Sequence, residues 1–112
     1  MKIILAIDYS SDSERAVQEL AERPWPPGTV VRVLSIVQNI PPSAAELWFD
    51  AGGCLEVVLQ KRQERAEELA LKAAELQRAR GLTAETAVRK GRTRGVIADE
   101  AKAWPADLII KG

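Results

Sequence analysis

Asp8 closes the apolar run Lys2-Ile-Ile-Leu-Ala-Ile-Asp8, and serines follow it at positions 10, 11 and 13. A carboxylate at the end of a buried strand can face a ligand, or it can cap the next helix and bond local amides. The residues alone leave both roles open for Asp8. Ser10, Ser11 and Ser13 read as turn and cap residues rather than nucleophiles. The chain contains no histidine, which removes Ser-His-Asp and Cys-His catalysis and most zinc chemistry. The bases that remain are Asp, Glu and Lys, and none is paired with a serine at a telling spacing. Cys54 is the single cysteine, so neither an internal disulfide nor a multi-cysteine metal site exists. Beside Gly52-Gly53 it reads as a small apolar filler, not a reactive thiol.

Arg89-Lys90-Gly91-Arg92-Thr93-Arg94 gathers four cations in six residues. It reads as a solvated turn leading into a helix rather than an anion-steering patch. The charges from Gln60 to Glu68 likewise read as the exposed side of a helix, with no function attached. No G-x-x-x-x-G-K-[S/T] phosphate loop occurs. Tyr9-Ser10-Ser11 stands where a dinucleotide-binding fold needs G-x-G-x-x-G. A phosphoreceiver domain needs an acidic pair after the first strand and an Asp after the third; Asp8 stands alone, and Arg89-Lys90 holds the second place.

The elements that must position these groups alternate in type. Lys2–Asp8 reads as a strand buried on both faces. Ser11 and Glu14 have capping-box spacing, and Ala16, Val17, Leu20 and Ala21 form the inner face of the helix they open. Pro24, Pro26, Pro27 and Gly28 end that helix. Thr29–Val37 is a second, β-branched strand, and Asn39–Gly53 a loop or short helix. A long helix over Leu55–Arg80 carries Leu55, Val58, Leu59, Ala66, Leu69, Ala70, Ala73 and Leu76 on its inner face, with Gly81 past its end. Thr83–Arg89 is a third, less buried strand. Thr93–Trp104 is a third helix with Val96, Ile97, Ala101 and Trp104 inward, and Ala106–Gly112 a fourth strand. Trp25, Trp48 and Trp104 flank proline or loop segments, where packing at helix ends is the ordinary reading; Trp48-Phe49 is also placed to cover a ligand or meet a partner.

Such alternation calls for a parallel sheet with helices on both faces, whose ligands sit beyond the carboxyl ends of the strands. At 112 residues the chain makes one domain with a real core. Sixteen basic residues balance sixteen acidic ones, so no net field draws the protein to nucleic acid or anionic lipid. No apolar run approaches the ~20 residues of a membrane helix, and Met1–Ile7 is too short for a signal peptide. A cytoplasmic location with no nucleic-acid or membrane partner is expected.

Four segments together resemble the universal stress protein family: Lys2–Asp8 with Ser10 and Ala16, Val33-Leu-Ser-Ile-Val37, Gly91 after the third strand, and Ala106-Asp-Leu-Ile-Ile-Lys-Gly112. The resemblance implies a three-layer, doubly wound α/β fold of the adenine nucleotide alpha hydrolase-like type, with strand order 3-2-1-4-5 and strand 5 absent from this sequence. It implies homodimers and, in one subclass, bound ATP or AMP, with Mg2+ if ATP, in a stress-response or regulatory role with at most slow hydrolysis. The nucleotide-binding residues it implies are Ile7, Asp8, Tyr9 and Ser10 at the first strand's end, Val37 against the adenine, and Gly112. The family's phosphate loop is G-x-x-G, nine residues, then G-[S/T], and Gly112 matches only its first glycine. Residues 1–112 are thus expected to be one domain lacking its C-terminal part, or else a short form whose fourth strand a partner covers. A member that binds no nucleotide and acts through protein contacts is the alternative.

Overall fold

Strand β1 (Lys2–Ile7) is apolar on both sides, and every residue from Ile3 to Ile7 is buried. A strand of that kind must be covered by helices on both faces. In this computed structural model, which describes residues 1–112 apart from Tyr9, Ser10 and the side chain of Ser11, it is. The elements that follow are α1 (Ser11–Glu22), β2 (Val30–Val37), a π-helical turn at Glu46–Asp50, α2 (Leu55–Ala79), β3 (Thr83–Lys90), α3 (Thr93–Ala103) and β4 (Leu108–Lys111). The four strands are parallel, as their alternation with helices calls for, and run in the order β3-β2-β1-β4 that the family resemblance implies.

Ile3, Leu5 and Ile7 join Val31 and Val33 of β2 beneath α1 and α2, whose contributions include Leu20, Ala70, Ala73 and Ala74. On the opposite face Ile4, Leu34 and Ala87 meet Val96, Ile97, Ala101 and Trp104 around α3. The chain steps from β1 to β2 to β3 with both helices on one side, then crosses back on the other side to place β4 beside β1. The strand order therefore reverses between β1 and β4. The two strands are pinned in register at their amino ends, where Asp107 N donates to Lys2 O and Lys2 N to Asp107 Oδ2, each at 2.8 Å. β4 lies at the edge of the sheet with Ile109 43% exposed.

Helix α2 is sealed at its C-terminal end as the sequence indicates. Gly81 adopts φ +87°, a conformation that costs other residues energy, while Gly81 N reaches Arg78 O and Leu82 N reaches Gln77 O. Those two bonds make a Schellman cap. The other end departs from expectation. Leu55 and Leu59 share the helix face that buries Ala66, Ala70 and Ala73, yet they are 51% and 41% exposed. The 25 residues of α2 run about 37 Å at 1.5 Å each, whereas the eight residues of β2 span about 26 Å. The start of α2 therefore extends past the sheet at Leu55 and Leu59, although Val58 between them is buried as expected. Cys54, just before them, is exposed for the same reason rather than serving as an apolar filler.

Arg32 interrupts the apolar pattern of β2 on the α3 face. Its Nη1 donates to Glu100 at 2.8 Å and its Nε to Glu85 at 2.9 Å, while the Trp104 ring centre lies 4.5 Å from its guanidinium carbon. Glu100 is buried and also takes Arg89 Nε at 3.2 Å. Trp25 closes α1 by donating its indole N–H to Leu20 O at 2.8 Å. Among the described residues no helix is long and apolar enough to cross a membrane.

Candidate functional site

Parallel strands all end on one side of the sheet, so β1, β2 and β4 deliver Asp8, Val37 and Gly112 to the same edge. Asp8 is exposed just beyond β1. The Ser13 hydroxyl accepts from Asp8 N and donates to Asp8 Oδ1, both at 2.9 Å. This serine, in the first turn of α1, fixes the acid relative to the helix. Gly112 N donates to Ala6 O at 3.1 Å, which brings Gly112 against the same turn. A Cβ at Gly112 would lie 2.4 Å from Ser13 Cα. Only glycine fits that approach, because backbone rather than a movable side chain stands in the way.

Asp8 borders three depressions. The α2 side holds a cleft of about 360 Å3, lined by Asp8, Ser35 to Gln38, Ile40, Glu46, and the α2 residues Arg62, Arg65, Ala66 and Leu69. A second cleft of about 360 Å3 between α1 and α2 shares Asp8 and Leu69 with it and adds Ile7, Glu14, Gln18 and Lys72. On the α3 side, Gly112 opens onto a crevice of about 20 Å3 with Ala6, Ile36, Thr93 and Lys111, room for about one water molecule.

The structure thus brings Asp8 and Val37 into one cleft and sets Gly112 on the other side of Asp8. Val37 is half-buried, and its carbonyl accepts from Gly91 N at 3.1 Å, so the turn after β3 is tied to the end of β2. Ile7 is buried and contributes to the floor of the second cleft. Tyr9 and Ser10 lie outside the described residues, as does the side chain of Ser11 on which the capping box depends.

Arg62 and Arg65, which sequence reasoning took as solvated charge, and Glu46, which it passed over in the loop, also line this cleft. Arg62 grips Glu46 with two bonds, Nε to Oε2 at 2.8 Å and Nη2 to Oε1 at 2.6 Å, and donates Nη1 to Ile40 O at 2.7 Å. Lys61 adds a bond from Nζ to Asp50 O. The loop after β2 is thereby fastened to α2 at several points. Hydrogen bonds from Arg62 hold the Glu46 carboxyl below the usual carboxylate range, against an opposing contribution from burial, with Arg62 and Arg65 charges assisting. The same pairing raises Arg62. A signal was present in the sequence: Arg62, Arg65, Ala66 and Leu69 recur at three- and four-residue spacing, so they share one side of the helix.

An apolar-floored cleft with a backbone strand end, the Asp8 carboxylate and a fastened Glu46–Arg62 pair suits a small, partly polar ligand. Among the described residues, no group of three or more His, Cys, Asp or Glu side chains comes together as a metal site.

Solved structures share this fold. The hypothetical protein MJ0577 matches with a TM-score of 0.75 at 16% identity, over 97% of this chain and 72% of that one. A universal stress protein family protein from Burkholderia pseudomallei matches at 0.71 and 16% identity, over 99% and 80%. A family protein from Arabidopsis thaliana, solved with AMP bound, matches at 0.56 and 16% identity, over 100% and 76%. No curated protein matches in sequence. The universal stress protein family model matches residues 1–112. The chain belongs to the universal stress protein family.

Proposed function

We propose that the protein binds an adenine nucleotide, ATP or AMP, at the carboxyl edge of the sheet and serves a stress-response or regulatory role without rapid turnover. The observation that carries this is the cleft in which the end of β1, with Asp8, meets the end of β2, with Val37, beneath α2. In this reading the base lies along Ile36–Val37 over the apolar side chains of Ile40, Ala66 and Leu69. The Asp8 carboxylate, oriented by Ser13, accepts from the ribose hydroxyls. Ile7, Tyr9, Ser10 and Gly112 complete the surroundings of Asp8. The AMP bound by the Arabidopsis thaliana relative supports the ligand class. Mg2+ enters only as the ion ATP carries. A cytoplasmic homodimer is part of the same reading.

Titration calorimetry with AMP and with ATP tests it. Saturable binding is expected, with Asp8→Asn weakening it about tenfold, since a hydrogen bond to a charged group is worth roughly 1.5–3 kcal/mol. Failure of both nucleotides to bind at millimolar concentration would remove the proposal. One observation favours a second reading, action through protein contacts without nucleotide: Trp48 and Phe49 are 65% and 88% exposed, with Ile40 and Leu55 also more than half exposed.

A further inference from the structure

The segment between β2 and α2 is fastened to the helix, yet it turns its largest apolar side chains outward. Trp48 is 65% exposed and Phe49 88%, and Ile40, Leu55 and Leu59 are also open. Arg62 donates to Ile40 O and clasps Glu46, Lys61 reaches Asp50 O, and Gly53 N donates to Leu47 O at 2.8 Å. An added Cβ at Gly53 would fall 2.6 Å from Trp48 Cζ3, so the indole rests on that glycine. Leu55 begins the helix two residues past Gly53 and Leu59 follows a turn later. Ile40 is tied to Arg62, a further turn along, so the five side chains make one patch. Rings presented by a segment held this way lose little freedom when they are covered.

We infer that this patch docks against the same patch of a second copy of the chain. The five side chains leave roughly 500 Å2 of apolar surface open, near the upper end of the about 300–600 Å2 of the largest patch on a monomer. Homodimer interfaces are about 65% apolar, so an apolar core of this size corresponds to roughly 800 Å2 per partner, the standard of a specific pair. The rim disfavours a lipid surface: Arg62 neutralises Glu46, while Asp50 and Glu56 are exposed at the border, and anionic headgroups repel such an edge. An isologous contact uses one patch twice, so rings and leucines cover one another and the carboxylates stay at the wet rim. This surface is separate from the open β4 edge, because α2 packs over β2 and β3 at the other end of the strand order. The inference rests on the protein-contact reading above, for which it names the partner, and it gives the homodimer a surface.

Sedimentation velocity from about 1 to about 100 μM tests this. Maleimide labelling of Cys54, the single thiol and exposed beside the patch, gives a second readout. Wild type should pass from monomer to dimer as concentration rises, with Cys54 labelling slowing over the same range. Phe49→Asp and Leu55→Gln should each weaken association at least about tenfold and label fast throughout. Both positions are more than half exposed, so neither change disturbs the core. Ile109→Lys, on the β4 edge, should leave both readouts unchanged. A wild type still monomeric at about 100 μM would overturn the inference and leave contacts with other proteins standing. A dimer that Ile109→Lys dissolves and Phe49→Asp does not would also overturn it, assigning self-association to β4. A monomer that co-sediments with phosphatidylcholine vesicles, and loses this with Phe49→Asp, would overturn it in favour of a lipid surface.

Discussion

Truncating Glu100 to alanine should destabilise the protein by about 2 kcal/mol. The carboxylate is 6% exposed and receives Arg32 at 2.8 Å and Arg89 at 3.2 Å. Removing one partner of a fully buried ion pair costs about 3–5 kcal/mol, because the other charge stays buried and alone. An exposed pair is worth under about 1 kcal/mol. Arg32 falls between these limits: its side chain is 21% exposed and keeps Glu85, which is 45% exposed, at 2.9 Å. Arg89 is 51% exposed and can return to water. A loss of about 2 kcal/mol should lower the melting temperature by about 8 °C for a chain of this size. Urea unfolding followed by circular dichroism measures it. Removing both charges together, Arg32→Met with Glu100→Leu, should restore most of the loss, since no buried charge is then left unpaired. If Glu100→Ala stays within about 0.5 kcal/mol of wild type, the network is screened by water and the reasoning from burial fails.

Further expectations concern the clamp and the helix cap. The folded-state value of Glu46 is lowered from 4.5, so the Arg62 clamp contributes fully above that value and weakens as pH falls through the lower folded one. A carbon-detected NMR titration should give a Glu46 midpoint below 4.5 in wild type and an ordinary one in Arg62→Met; equal midpoints would dissociate the shift from the clamp. Gly81→Ala should cost about 1 kcal/mol and lower the melting temperature by about 4 °C, from the positive φ alone, because an added Cβ meets nothing within 4 Å. An unchanged urea midpoint would contradict that account. The Asp8→Asn affinity completes the set.

The layers of the fold were legible in the sequence because each element carries its own period. β1 reads as buried on both sides, α1 and α2 show helical stripes, and Gly81 marks a stop. The groups at the strand ends, Asp8 and Val37, were legible for a related reason: in a parallel sheet every carboxyl end lies on one edge. Periodicity is silent about where one element ends beneath another. It placed Leu55 and Leu59 on the right side of α2 but could not show that the sheet stops before reaching them. It also read Arg62 as solvated, since its partners in the loop, Glu46 and the Ile40 carbonyl, are set by tertiary placement. Glu46 was passed over in a loop with no period to read. Arg32 in β2 was hidden for the opposite reason, a single charge within a strand whose remaining pattern is apolar.

The projection of α2 past the sheet gives one continuous helix two local stabilities. From Ala66 onward it lies on the sheet and can open only with the core. Before that point it is held by the buried Val58 and by the Arg62 and Lys61 attachments, while Leu55 and Leu59 lie open, so it is the less secured part of the helix. The cleft lies under the join, between Asp8 and Val37 on the sheet and Arg62 and Arg65 on the helix. Whatever fills it touches both parts at once. Occupancy and the order of the projecting turns are then linked equilibria: a ligand that favours one raises the other, and a partner that grips the Trp48 side reaches the cleft without touching it.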